Sequence, residues 1–137
     1  TLEHLREGLR RHGLRMEKAF QRYLDNPGSH TLHEWRKRTK DHRYHLQLGA
    51  RFPGVTRTRH KRVESLEKAL GQARDCDLLL DRLRNRNDIG LEPEEIATLI
   101  IHLEQKKETL VARAVRLART ALPLPVSDRR SRKASAG

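Results

Sequence analysis

The 137-residue chain carries 30 Lys plus Arg against 18 Asp plus Glu, a net charge of +12, with 35% hydrophobic and 4% aromatic residues. A chain of this length makes one domain with one modest core, and its lone cysteine, Cys76, excludes an intrachain disulfide. No stretch approaches the roughly 18 apolar residues of a membrane-spanning helix, and no secretory apolar region stands at the start, so a reducing, cytoplasmic location is the expectation. A positive surplus of this size repels itself in the compact state unless a partner offsets it. The partners it favours are nucleic acid, anionic lipid or another phosphate polymer. Arg outnumbers Lys, and its planar fork fits phosphate oxygens better than a point charge does.

The apolar residues are mostly Leu and Ala, which favours helix. Leu2, Leu5, Leu9, Met16, Phe20 and Tyr23 follow i, i+3, i+4, i+7 spacing and predict a first helix from about Leu2 to Leu24. Asp25-Asn26-Pro27-Gly28 ends it with turn chemistry. A second helix is predicted from about Leu32 to Leu48, capped by Ser29 or Thr31 and stopped by Gly49 and Phe52-Pro53-Gly54. The third runs from about Thr58 to Leu83, with Val63, Leu66, Ala69, Leu70, Ala73, Cys76, Leu79, Leu80 and Leu83 as its core set. Gly71 inside it costs helix stability, so a close backbone approach by a neighbour is expected there. Arg84 to Leu91 reads as a polar loop. Pro93 suits the first turn of a fourth helix, with Glu94 and Glu95 complementing its dipole. That helix is predicted to reach about Leu122, before Pro123 and Pro125. The expected fold is therefore all-α: an antiparallel four-helix bundle over residues 1–122, then a disordered basic tail over 123–137.

The second helix holds the most informative segment. On a wheel of 100° per residue, Leu32, Trp35, Thr39 and Leu46 gather on a core side, while His33, Arg36, Lys37, Lys40, Arg43 and Tyr44 fill an adjoining arc of about 120°. A solubilising charge run sits opposite the core; this one borders it, as residues lining an interhelical groove do. Like charges at i, i+3 and i+4 are unfavourable without a counterion, and an extended phosphate polymer lying along the helix would supply one. On the first helix, Arg11, Arg15, Lys18 and Arg22 lie opposite the apolar face and read as solvated. Arg57, Arg59, Lys61 and Arg62 open the third helix, where cations oppose the dipole and are better anion-site candidates. Lys106, Arg113 and Arg116 share one arc of the fourth helix and are candidates to extend the basic surface.

The spacing His33-x-x-Arg36-x-x-x-Lys40-x-x-Arg43-Tyr44 resembles the CHAD family, the conserved-histidine α-helical domains. Leu32, Glu34-Trp35, the element Leu66-x-x-x-Leu70-Gly71-x-x-x-Asp75 and the end of the first helix, Asp25-Asn26-Pro27, are similar as well. The resemblance covers residues 2 to 120. It implies a four-helix bundle that binds inorganic polyphosphate on a basic surface without being an enzyme or needing a cofactor, in the cytoplasm or on polyphosphate granules. It implies His33, Arg36, Lys37, Lys40 and Arg43 as ligand-facing residues, with Tyr44 packing or donating one hydrogen bond. His33 has two readings, a structural histidine capping the helix start or a phosphate contact that charges on binding. Asp75 is expected to orient a cation, Arg74 or one from the second helix. Family members usually hold two such bundles, and this chain resembles the C-terminal one, which implies a missing first repeat or a homodimer.

Three rival readings remain beside this one. The charge suits a nucleic-acid backbone equally well, but stacking aromatics are scarce and no helix-turn-helix or zinc-finger pattern is present. His33-Glu34-Trp35-Arg36 superficially matches a phosphotransfer helix, but the Pro expected after it is absent. His30, His33, His42 and His45 have i, i+3 spacings, but their cationic neighbours oppose a metal, so they read as surface histidines. No catalytic constellation is apparent.

Overall fold

The computed structural model describes residues 1–50, 57–85 and 88–121, apart from the side chains of Leu2, Thr120 and Ala121. Four helices account for nearly all of them: α1 (Leu2–Asp25), α2 (Ser29–Gly49), α3 (Arg57–Asn85) and α4 (Pro93–Ala121). The predicted tail, the Phe52-Pro53-Gly54 stop and Leu122 lie outside the described residues.

The helix ends follow local chemistry. Thr1 caps α1, its hydroxyl accepting from the His4 N–H at 3.3 Å. Pro93 takes the first position of α4, and Glu95 reaches back to accept from the Glu92 N–H at 3.1 Å, half of a capping box. α2 departs from the prediction. It begins three residues earlier than expected, with Gly28 at the N-cap and no side-chain cap. Neither Ser29 nor Thr31 caps it. Both lie inside the first turn, and the Thr31 hydroxyl donates backwards to the Asn26 and Gly28 carbonyls at 2.8 and 3.2 Å.

Each helix packs on its sequence neighbours, α1 on α2, α2 on α3 and α3 on α4. Cross-helix pairs move in opposite directions along each hairpin, so the neighbours are antiparallel. His12 meets His45 while Phe20 meets Trp35, and Asp77 meets Lys107 while Arg84 meets Glu104. The core centres on Trp35, fully buried, with the Phe20 and Tyr23 rings at 4.8 and 5.4 Å. Met16, Leu32, Leu46, Val63, Leu66, Leu70, Ala73 and Ala114 close around it. Thr39 sits within this core because its hydroxyl donates to the Trp35 carbonyl at 2.8 Å, so that hydroxyl is not left unpaired.

α3 and α4, at 29 residues, are longer than α1 and α2, at 24 and 21. At 1.5 Å per residue the α3–α4 hairpin outreaches α2 by roughly 12 Å. Leu79, expected in the core, is 49% exposed because it stands about 100° round the helix from buried Leu80; Leu78, Leu99 and Ile101 are exposed too. No described helix is long and apolar enough to cross a membrane.

Candidate functional site

The buried stripe of α2 is Leu32, Trp35, Thr39, His42, Leu46 and Gly49. Turning about 90° from it on the helix brings Arg36 and Arg43 to the seam with α3. There they line an open groove of about 410 Å³ with Glu64, Glu67, Lys68, Gly71, Gln72 and Asp75. Of the predicted basic arc, Arg36 and Arg43 line this groove beside the core, whereas His33, Lys37, Lys40 and Tyr44 do not. His33, Arg36, Lys40 and Arg43 are half-buried, whereas Lys37 and Tyr44 are exposed. The Tyr44 ring lies under the Arg43 guanidinium, 4.6 Å from its centroid.

Within the groove the two arginines differ. Arg43 forms an ion pair with Glu67, both side chains being about four-fifths buried. The Nε of Arg36 is buried and has no hydrogen-bond partner among the described residues. It lies against Gly71, where an added Cβ would stand 3.6 Å away. The close backbone approach expected at Gly71 is not there: the neighbour is this α2 side chain, at ordinary contact distance. Asp75 lines the same groove but forms no ion pair with a described residue. His33 stands in the second turn of a helix that begins at Ser29, so it does not cap the helix start; its Nδ1 is buried without a partner.

The row is not purely cationic. Three carboxylates of α3, Glu64, Glu67 and Asp75, line the groove with Arg36 and Arg43 of α2 and with Lys68 of α3 itself. They offset the like-charge repulsion read from α2 alone. The sequence reading singled out Asp75 but missed Glu64 and Glu67, although their i, i+3, i+4 spacing with Gly71 marks one face of α3.

Other candidate cations lie elsewhere. Arg59 turns away from the groove, its Nε–H donating to His42 Nε2 at 3.3 Å. Arg62 is exposed on α3, and Lys106 and Arg113 are exposed on α4; none of these lines the groove. Arg11, Arg15, Lys18 and Arg22 are exposed on α1, as a solvated stripe would be.

The histidines correct the surface reading. His42 is 2% exposed. Burial first, then the Arg59 charge and the rings of His12 and His45, push it down to about 3. Because its Nε2 accepts from Arg59, the ring proton of the neutral form is on Nδ1. His45 is half-buried, bonded through Nδ1 to the Asp41 carbonyl at 2.8 Å and stacked on His12 with centroids 3.8 Å apart. Gly13 gives this cluster room, since a Cβ there would meet the His42 ring at 3.4 Å. Among the described residues no group of three or more His, Cys, Asp or Glu is arranged to hold a metal ion.

No protein-family model, curated protein or solved structure matches this chain.

Proposed function

We propose that this chain binds inorganic polyphosphate, without catalysis, along the row His33, Arg36, Lys40 and Arg43 of α2, with Lys37 at its outer edge. The observation that carries the reading is Arg36. It is a guanidinium held half-buried in an interhelical groove, its Nε without a partner, against a residue that has no side chain. A buried donor left unpaired costs free energy that an anionic ligand would recover. Turn-by-turn placement of further cations suits an anion that is long and flexible. The resemblance of this same segment to the CHAD family supports the identity of the polymer. In this reading the chain works in the cytoplasm, on polyphosphate granules, and a second bundle, another copy or a first repeat, completes the surface; Arg59, Arg62, Lys106 and Arg113 are outlying contacts.

The alternative is a general binder of polyanions or nucleic-acid backbones. The net charge of +12 and the exposed cationic stripe of α1 favour it.

Alanine variants separate the two readings. Arg36→Ala and Lys40→Ala should each weaken polyphosphate binding about tenfold, the loss of one charge-assisted contact, while circular dichroism shows unchanged helicity. Arg11→Ala and Arg15→Ala should change binding less than twofold by the weakness of exposed charge pairs. Equal losses at both sets would establish diffuse charge in place of a site.

A further inference from the structure

Arg43 is occupied from within the chain. Its guanidinium pairs with Glu67, and both side chains are largely buried at the α2–α3 seam. Seven residues earlier, and therefore about two helical turns along the same face, Arg36 forms no ion pair with a described residue, and its buried Nε has no hydrogen-bond partner among them. The two ends of one cationic row thus present different conditions to an incoming anion. At Arg36 a phosphate meets a guanidinium with no carboxylate of the described residues seated on it. At Arg43 it meets a carboxylate already seated on the guanidinium, and must displace it or lie beside its charge.

Resting on the polyphosphate reading above, we propose that Glu67 is a specificity-determining residue, an internal competitor that makes the groove select long phosphate chains over short ones. A short anion engages the Arg36 end alone. It cannot span the row while also displacing Glu67, and its contacts are made in competition with water and salt. A long chain anchors first on Arg36 and Lys40, which raises the local concentration of its next phosphates at Arg43, as any tethered second contact does. Glu67 is then displaced by a group that is already held nearby. The neighbouring Glu64 gives a built-in comparison. It lines the same groove with the same charge, but lies against His60, its carboxylate 3.9 Å from the ring Nε2, with no bond to Arg43.

The test measures dissociation constants of tripolyphosphate and of long-chain polyphosphate for the parent chain, Glu67→Gln, Glu67→Asp and Glu64→Gln. Thermal unfolding and circular dichroism are recorded alongside. Glu67→Gln should tighten tripolyphosphate binding about tenfold, equivalent to removing a competitor worth ~1.4 kcal/mol. Long-chain binding should tighten by much less, so that the preference for long chains shrinks. Glu67→Asp, which keeps the charge but shortens the reach to Arg43, should move short-chain affinity in the same direction. Glu64→Gln should leave the preference unchanged. Unaltered short-chain affinity in both Glu67 variants, or an equal gain in Glu64→Gln, would overturn the proposal. Failure of the parent chain to bind long-chain polyphosphate would instead overturn the functional reading beneath it.

Discussion

An exposed histidine takes up a proton as the pH falls through about 6.5, but His42 has no place for one. Its Nδ1 already carries the ring proton, and its Nε2 receives the Arg59 N–H. A second proton would set two donors against each other inside the core. The folded pKa of about 3 lies below the unfolded value of 6.5, so the unfolded chain binds more protons between them. Stability is therefore complete above pH 6.5 and falls as the pH drops toward 3, at up to about 1.4 kcal/mol per pH unit. Burial also lowers His12, which acts in the same direction. Denaturant midpoints at pH 7.5 and 5.5 check this: the midpoint should drop at pH 5.5 and should drop clearly less in His42→Gln, His12 supplying the remainder. Equal parent midpoints would contradict it. The burial of His42 was legible in its spacing, seven residues after Trp35 and four before Leu46, both core positions. Residue type, which favours an exposed reading, obscured it. The Arg59 partner was not legible, because it comes from another helix.

Gly71 shows how a helix position can serve two purposes. It lies in the interior of α3, where Gly is less favourable than Ala by about 1 kcal/mol, and it leaves the groove wall beside Arg36 without a side chain. An added Cβ would stand at ordinary contact distance from Arg36 Nε, 3.6 Å, so Gly71→Ala should stabilise the fold by about 0.5–1 kcal/mol. The same change narrows the groove beside Arg36, and polyphosphate affinity should fall. Thermal unfolding and a binding titration on one variant test both effects; a stabilised variant with undiminished affinity would remove Gly71 from the site. The existence and order of the four helices were legible from the 3.6-residue period and the Pro and Gly stops. The α2 start was not, because the turn after Pro27 passes directly into helix without a side-chain cap. Leu79 was misread because its apolar type outweighed its place, off the face that Ala69, Ala73, Cys76 and Leu80 bury.

Over the whole molecule the charge is uneven. Acidic residues outnumber basic ones between Gly71 and Glu108, while the remainder carries more than the full net charge of +12. This part of the α3–α4 hairpin is thus acidic and partly apolar, and it carries the Asp77–Lys107 and Arg84–Glu104 pairs. The basic excess lies in the rest of the chain. Self-repulsion within that excess destabilises the compact state, and a ligand that binds only the folded form stabilises it by mass action. Saturating polyphosphate should accordingly raise the melting temperature by several degrees, as a gain of about 2–3 kcal/mol would. Added salt should shrink that shift.

The most direct measurement is the binding of long-chain polyphosphate near ~0.15 M salt, where the Debye length is about 8 Å, with duplex DNA and RNA as competitors. A tuned row on α2 keeps its polyphosphate until nucleic acid is in large excess, and loses that preference in Arg36→Ala. Equal competition by nucleic acid, or binding that vanishes at this salt, would contradict the account and make the chain a general polyanion binder.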